Sequence, residues 1–293
     1  MRRRSAGPFF TGLVSPAVEA LRQIDEWPAE HAAAGVATAG AVVAAYGDTG
    51  HSFGWGSVTK LLVAYATLVA AEEGTVDLDE PAGPPGSTVR HLLAHASGLA
   101  WDSPTPLAPP GQRRIYSNTG FVALAAHLES CADMSCGDYL REAVLAPLSL
   151  GASFDGDPAA GLSGTLGDVL RFGRELLAPT LVAPETLAEA TSVQFPGLDG
   201  VLPGFGRQTP NDWGLGFELR DAKAPHWTGS ANSAATFGHF GSKPGTATFL
   251  WVDPERRLAC AALADESFGD WARAAWPALS DAVLSEGSRA AAG

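Results

Sequence analysis

Hydrophobic and polar positions follow one pattern near the ends of the chain and another in its middle. Apolar residues three or four positions apart predict a helix over residues 17–33. The apolar run over residues 36–46 predicts a strand, residues 47–50 a turn, and residues 51–53 a second short strand. The chain is therefore expected to begin with a helix that leads into extended structure.

A Gly-rich turn and a helix follow over residues 53–74. The helix is predicted to begin at Ser57, because apolar residues recur at helical spacing from Leu61 to Val69. Gly74 is expected to end it, since glycine readily adopts the left-handed conformation that terminates many helices.

Strand signals are weak between about residues 75 and 200. Prolines crowd residues 101–113, which predicts a loop. Short helical patterns are found on both sides of this loop. The predicted helices cover residues 90–95, a segment that follows Asn118, and residues 138–146, 166–177 and 184–191.

Strands return near the C-terminus. Apolar runs predict strands over residues 234–239, 246–252 and 258–264, and a turn at residues 253–256 joins the last two. An amphipathic helix starting near Trp271 closes the pattern.

Strands and a helix at both ends thus flank a helical middle. This arrangement predicts an α/β (α+β) fold, in which helices flank one antiparallel sheet and a helical subdomain is added. The two terminal helices are expected on one face of the sheet. The predicted units are an N-terminal arm (1–16), a sheet subdomain built from residues 17–74 and 201–287, and an inserted helical subdomain (75–200), which together form one domain.

The composition argues against several classes of partner. The 293 residues carry a formal net charge of -13, so neither nucleic acid nor an anionic membrane surface is an expected partner. No apolar run approaches the roughly 18 residues that a membrane span requires. Arg2 to Arg4 look like the start of a secretion signal, but the apolar stretch after them is short and bracketed by Pro8 and Pro16. With three cysteines, which do not suggest a disulfide framework, the chain is predicted to be cytoplasmic.

Ser57 and Lys60 provide the first candidate chemistry. Residues three apart share one face of a helix, so the hydroxyl and the amine are expected to be neighbours. A lysine in a dry site can lose its proton and then activate a serine nucleophile. The alternative is that Ser57 only caps the helix, since Ser-x-x-Lys is common by chance.

Two further elements carry polar groups at structural boundaries. Tyr116 and Asn118 lie between the Pro-rich loop and a predicted helix. A tyrosine near a cationic lysine can have a lowered pKa and act as a base. The alternative is a packed aromatic ring followed by a helix cap. His239 ends a predicted strand, where Gly241 would let a ligand approach closely; the alternative is a surface histidine beside a bulge.

Three elements therefore occur in a fixed order along the chain: Ser57-x-x-Lys60, Tyr116-x-Asn118 and His239-x-Gly241. This order resembles the penicillin-recognising serine hydrolase family, and most closely its branch of class C β-lactamases, DD-peptidases and type VIII esterases. Residues 91–99 and 213–217 match as well, and the resemblance covers about residues 17–287. It implies a β-lactamase/DD-peptidase-like fold.

The resemblance also implies a role for each motif residue. Ser57 would be the acylated nucleophile, and Lys60 would accept or shuttle its proton. Tyr116 would be the base in acylation and would activate water in deacylation, while Asn118 would orient Lys60 and the substrate. The backbone N–H groups of Ser57 and Ser242 would form an oxyanion hole.

The chain departs from the family pattern at the third element. β-Lactamases usually carry Lys-Thr-Gly where this chain has His239 and Gly241, and a histidine is mostly neutral at pH 7. Lys243 lies close by in the sequence and could restore a positive charge for a substrate carboxylate. Which of His239 and Lys243 would bind a carboxylate is left open.

The predicted function is a serine hydrolase that cleaves small esters or amides through a Ser57 acyl-enzyme. The alternatives are a catalytically inactive ligand- or partner-binding protein and an acyltransferase that uses the same residues. The expected partner is a small-molecule substrate, and the oligomeric state is left open.

No cofactor and no metal are predicted. His91 and His95 have a spacing that can hold a metal, but no third ligand accompanies them in the sequence. The cysteines show no zinc-binding spacing either. Four aromatic residues could line a pocket, although burial in the core is the commoner role of such residues. They are Trp101, Trp213, Trp227 and Trp251.

Overall fold

The structure is a computed structural model that describes residues 16–290, with side chains over residues 19–286. The predicted N-terminal arm therefore lies outside the described residues except for Pro16. None of the described helices is long and apolar enough to cross a membrane. The predicted cytoplasmic location stays a prediction.

The described chain contains eight α-helices and eleven strands. The helices are α1 (Pro16–Leu21), α2 (Thr59–Glu72), α3 (Val89–Leu93), α4 (Asn118–Ala132), α5 (Cys136–Leu140), α6 (Leu166–Leu177), α7 (Pro184–Ala190) and α8 (Asp270–Ala290). The strands are β1 (Ala32–Ala37), β2 (Val42–Gly47), β3 (Phe53–Gly54), β4 (Ser153–Phe154), β5 (Leu162–Gly164), β6 (Gly200–Leu202), β7 (Gly206–Gln208), β8 (Glu218–Leu219), β9 (Phe237–Lys243), β10 (Thr246–Asp253) and β11 (Leu258–Ala264).

A six-stranded antiparallel sheet is the centre of the fold. Its strand order is β2-β1-β11-β10-β9-β8, so strands from the two ends of the chain meet where β1 pairs with β11. Two smaller sheets, β3-β5-β4 and β6-β7, lie outside it. The prediction of one antiparallel sheet built from both chain ends and flanked by helices is confirmed.

Strand β10 shows why both faces of this sheet are covered. Side chains alternate between the two faces of a strand. Leu250 and Val252 belong to the core that includes α2 and α6, whereas Phe249 and Trp251 belong to the core that includes α1 and α8. Every residue of β10 is buried, so apolar residues of the strand lie on both faces and follow one another directly from Phe249 to Val252.

The predicted single strand over residues 36–46 is wrong. The segment contains the end of β1, a turn and most of β2, and the N–H of Thr38 donates to the carbonyl of Ala41 across the turn at 2.9 Å. Thr38 and Gly40 are the only residues of this stretch that mark the turn in the sequence, and they are a weak signal among small apolar residues. The second short strand predicted at residues 51–53 overlaps β3 only at Phe53.

Two other predicted boundaries also move. The first helix ends as α1 at Leu21 and continues as a 3₁₀ turn only to Glu26, well before the predicted end at residue 33; β1 begins at Ala32. The strand predicted over residues 234–239 is β9, which places His239 inside the strand rather than at its end. Glycines at both sides of His239 weaken the strand pattern in the sequence.

The middle of the chain contains the predicted helices, but part of it packs on the sheet. The helix predicted over residues 138–146 is divided into α5 and a π-helical turn. Helix α6 lies against the sheet so closely that a Cβ added to Gly35 would lie 2.6 Å from Leu170 Cδ1. Strands β4 and β5 join β3 in one sheet. The subdomain boundaries at residues 75 and 200 stay a prediction.

The backbone of strand β9 is in direct contact with the backbone of the turn that precedes α2. A Cβ added to Gly241 would lie 2.0 Å from the carbonyl oxygen of Trp55, and one added to Gly56 would lie 3.0 Å from the backbone nitrogen of Ser242. The hydroxyl of Thr248, on the neighbouring strand, donates to the same Trp55 oxygen at 2.8 Å. Glycine is therefore required on both sides of this contact.

Replacing Gly241 by alanine should force β9 away from the turn at Trp55. The free energy of unfolding should fall by about 1–3 kcal/mol, the usual cost of overpacking a tight contact. Gly40→Ala is the matched control, because a Cβ added to Gly40 meets nothing within 4 Å. Chemical denaturation of both variants measures the difference; equal stability would show that the contact tolerates a side chain.

Candidate active site

Ser57 lies in a 3₁₀ turn that leads directly into α2. The turn spans Gly56–Val58, and Gly56 has a φ of +50°, in the left-handed region that favours glycine. No side-chain cap hydrogen bond is made at the start of this helix. Ser57 is half-buried, so its hydroxyl is free for other contacts.

Lys60 is completely buried directly beside Ser57. Its Nζ donates to Ser57 Oγ at 3.0 Å and to the carbonyl oxygen of Ala159 at 2.8 Å. Burial lowers the pKa of Lys60 to about 7, against an opposing effect of the Asp157 charge. An amine with this pKa is neutral in a large fraction of molecules near pH 7, so it can accept the Ser57 proton.

Tyr116 completes a group of three polar side chains. Its hydroxyl hydrogen-bonds with the side chain of Ser57, and its ring centroid lies 5.0 Å from Lys60 Nζ. Burial raises the pKa of Tyr116 above its ordinary value, although the Ser57 hydrogen bond opposes this. The lowered pKa expected from the neighbouring lysine is therefore not found, because desolvation of the buried phenol dominates.

Asn118 begins α4 and lines the same cavity as Ser57. Its Oδ1 has no hydrogen-bond partner among the described residues. The helix cap is supplied by Ser117, whose Oγ accepts from the N–H of Gly120 at 2.9 Å. The Asn118 side chain is thus available to a ligand, and its predicted contact with Lys60 is not made in this structure.

His239 is a buried neutral group. Its Nδ1 lies 2.6 Å from the carbonyl oxygen of Phe240, so Nδ1 carries the proton and Nε2 is an acceptor. Burial, helped by the Lys60 charge, lowers the pKa of His239 to about 3. The ring lies between those of Tyr116, at 5.7 Å, and Trp213, at 5.4 Å. His239 therefore supplies no positive charge at neutral pH.

These groups open onto one cavity of about 1010 Å³. Apolar side chains form much of its wall, and exposed apolar residues stand at its edge: Trp101 is 60% exposed and Leu107 61%. The predicted pocket role holds for Trp101 and Trp213, whereas Trp227 and Trp251 are packed in the core. The predicted site residues that line the cavity are Ser57, Tyr116, Asn118, His239, Ser242 and Lys243.

Lys243 lies two residues after Gly241 and lines the cavity. Its Nζ donates to the carbonyl oxygen of Ala160 at 3.3 Å, and the side chain is only partly buried. Arg113 and Arg273 also line the cavity. The positive charge that His239 lacks is therefore available from neighbouring residues.

His95 has a role that the sequence did not reveal. Its Nδ1 accepts a hydrogen bond from the backbone N–H of Ser117 at 3.2 Å, and its ring lies 4.6 Å from the Tyr116 ring. His95 is buried, and burial holds its pKa well below the ordinary value. It positions the Tyr116 segment, and it does not form a metal cluster with His91 within the described residues.

A buried charge cluster below the cavity was also missed. Glu218 forms ion pairs with Lys223 and, at 2.8 Å, with His226. Burial opposes ionisation of Glu218, but these two partners together hold its pKa at about 2. Lys223 Nζ also lies 5.7 Å from the ring centroid of Trp213. In the sequence these residues look like ordinary polar positions of a loop, because their burial depends on the tertiary fold.

Comparison with known proteins gives a consistent result. The model of the Beta-lactamase family matches residues 22–284. The crystal structure of a β-lactamase from Mycobacterium bovis is 54% identical, with a TM-score of 0.89 over 92% of this chain and 99% of that chain. A D-stereospecific amidohydrolase from a Streptomyces species, 20% identical, shares the fold with a TM-score of 0.66 over 92% of this chain and 96% of that one.

A curated relative agrees with this assignment over a shorter stretch. Penicillin-binding protein 4* of Bacillus subtilis (strain 168) is 26% identical over 188 residues, which is 52% of this chain. The aligned part spans 41% of that relative, less than half of its length. Since the family model covers most of this chain, the chain belongs to the Beta-lactamase family and has its serine hydrolase fold.

Proposed function

We propose that this protein is a serine hydrolase that cleaves small esters or amides through an acyl-enzyme on Ser57. The observation that carries the proposal is the buried amine of Lys60, 3.0 Å from Ser57 Oγ and with a pKa lowered to about 7. Burial of an ammonium group without a carboxylate partner is costly, so a lysine with a purely structural role is not expected at this position.

In the acylation step, Ser57 Oγ attacks the substrate carbonyl while its proton moves to neutral Lys60. The developing oxyanion accepts hydrogen bonds from the N–H groups of Ser57 and Ser242; the close approach of Gly56 to the Ser242 nitrogen supports this pairing. The proton then passes from Lys60 through the Tyr116 hydroxyl to the leaving oxygen or nitrogen.

In deacylation the same groups work in the opposite direction. A water molecule attacks the acyl carbon, Tyr116 and Lys60 take up its proton, and the bond to Ser57 Oγ breaks as that oxygen regains a proton. Tyr116 relays protons in this scheme and Lys60 is the base, because the pKa of Tyr116 is raised and that of Lys60 is lowered.

The cavity favours a substrate with an apolar acyl or alcohol part. Trp101, Leu107 and Phe240 supply apolar surface, and the acceptor nitrogen of His239 suits a neutral hydrogen-bond donor. A substrate carboxylate would be bound by Lys243 and not by His239, whose pKa of about 3 keeps it neutral.

Covalent labelling tests the proposal. A fluorophosphonate probe should add its mass to the wild-type chain at Ser57, and Ser57→Ala should show no addition. Ser52→Ala is a matched control, because Ser52 is exposed and lies outside the cavity lining. Intact-mass spectrometry with peptide mapping gives the result.

If the folded wild type reacts with neither the fluorophosphonate nor a β-lactam probe, the chain is a catalytically inactive binding protein instead. Labelling that persists in Ser57→Ala would place the nucleophile elsewhere. The acyltransferase alternative is tested by adding an alcohol to an ester assay and measuring the fraction of acyl product that is not the free acid.

The pH dependence should identify the base. Below pH 7 Lys60 is protonated and cannot accept the Ser57 proton, so kcat/KM should rise with pH through an apparent pKa of about 7. Tyr116→Phe should lower the plateau by about 10²–10⁴-fold, the usual contribution of proton transfer, and leave the midpoint near 7. Steady-state hydrolysis of a p-nitrophenyl ester from pH 5 to about 9 measures both. Loss of the midpoint in Tyr116→Phe would make Tyr116 the base.

Removal of the Lys243 charge should affect anionic substrates selectively. For Lys243→Met, KM for a p-nitrophenyl hemisuccinate should rise by about two- to fivefold, as expected for a partly exposed ion pair, while KM for p-nitrophenyl acetate should be unchanged. Arg207→Met, which removes an exposed cation outside the cavity lining, is the control. An equal effect on both esters would contradict a carboxylate-binding role.

A further inference from the structure

Three potential metal ligands meet away from the Ser57 cavity. His127 and Cys131 are four residues apart on α4, and Glu80 comes from the loop before α3. Among the described residues, their ligand atoms form a group in which all lie within 4.8 Å of one another. Glu80 Oε1 lies 2.7 Å from His127 Nε2, and Cys131 Sγ lies 3.5 Å from His127 Nε2 and 3.8 Å from Glu80 Oε1.

Two of these three separations match the edges of a tetrahedral zinc site. Zn–N and Zn–O bonds of about 2.0–2.1 Å and a Zn–S bond of about 2.3 Å give tetrahedral edges of about 3.5 Å for N–S, 3.6 Å for O–S and 3.4 Å for N–O. The two edges that involve Cys131 already have nearly these lengths. The Glu80–His127 contact is shorter because a shared proton joins the two groups, and it must lengthen when a cation replaces that proton.

The loop that carries Glu80 is held in place before any ion binds. The Glu80 carbonyl accepts from the N–H of Val89 at 3.2 Å, and its Oε1 accepts from the N–H of Asp77 at 3.2 Å. Both side chains remain accessible to an ion: that of Glu80 is 33% exposed and that of His127 is 21% exposed. Cys131 is exposed, which leaves room for a solvent ligand in a fourth position.

A simple ion pair accounts for only part of this arrangement. Glu80 Oε1 and His127 Nε2 are paired at 2.7 Å, and this contact accounts for the placement of those two side chains. The ion pair needs neither the thiol nor its placement within ligand distance of both partners.

We propose that Glu80, His127 and Cys131 form a Zn²⁺-binding site with three protein ligands and one position open to solvent. A set of one sulfur, one nitrogen and one oxygen ligand suits Zn²⁺, whereas Ca²⁺ and Mg²⁺ require oxygen ligands. Binding forms a Zn–S bond and releases the Cys131 proton to solvent. This proposal is independent of the reaction proposed for Ser57.

The site would act on stability. Zn²⁺ would tie the Glu80 loop to α4, whose first residue is Asn118. His127 is nine residues further along the helix, about 14 Å at 1.5 Å per residue, so the ion cannot take part in chemistry at Ser57. Because the ion binds the folded chain, the free energy of unfolding should rise with the logarithm of the free Zn²⁺ concentration once that concentration exceeds Kd.

Zinc and cobalt binding to the purified full-length chain test the proposal. After dialysis against a chelator, titration with ZnCl₂ should saturate at one ion per chain and raise the Tm. Co²⁺ should bind at the same site and produce a thiolate-to-cobalt charge-transfer band together with the intense visible bands of tetrahedral cobalt. Added Zn²⁺ should displace the cobalt and abolish both.

Single substitutions locate the ion. Cys131→Ser should abolish the charge-transfer band, and Glu80→Gln and His127→Gln should each weaken Zn²⁺ binding at least about tenfold, since even indirect supports of a metal contribute this much. Asp133→Asn is the matched control: it removes an exposed carboxylate two residues after Cys131 and should bind zinc like the wild type. Unfolding curves in chelator confirm that each variant is folded.

Three results would overturn the proposal: no stoichiometric zinc binding, zinc binding that is unchanged in the Cys131 and His127 variants, or a charge-transfer band that survives in Cys131→Ser. The last two would assign the ion to another surface group. None of these results depends on whether the chain hydrolyses esters, so they leave the Ser57 proposal untouched.

Discussion

The buried amine of Lys60 is the constraint on which the rest of the site depends. Its two hydrogen-bond partners, Ser57 Oγ and the Ala159 carbonyl, are both neutral, and no ion pair involving Lys60 is formed among the described residues. Desolvation therefore lowers the pKa of Lys60 from 10.5 to about 7. The unfolded chain binds this proton more tightly than the folded chain does. The free energy of unfolding is therefore reduced below pH 7, and this reduction disappears as the pH rises from about 7 towards 10.5.

The surrounding structure holds this costly group in place. The turn before α2 is fixed by contact with β9, where Gly56 and Gly241 permit backbone approach. The carbonyl of Ala159 comes from the loop between β4 and β5. These two strands form a small sheet with β3. A rigid scaffold of this kind is what allows a strained or poorly solvated group to persist at a functional site.

A second buried lysine shows the opposite solution to the same problem. Lys223 is paired with Glu218, which also accepts from the indole N–H of Trp227 at 2.9 Å. This satisfied cluster supports Trp213, whose ring contacts that of His239 in the cavity wall. One lysine is thus neutralised by a carboxylate and serves the structure, while Lys60 is left without one and is suited to proton transfer.

The sequence by itself determined the order of the three motifs, the antiparallel sheet built from both chain ends, and most of the helices. Helical spacing places Lys60 one turn from Ser57 whatever the rest of the chain does, because 3.6 residues complete a turn. Only the tertiary structure decided which groups are charged: the neutral His239, the raised pKa of Tyr116 and the lowered pKa of Lys60 all follow from burial by distant segments. Burial depends on packing between residues far apart in the chain, and a local pattern of residue types carries no measure of it.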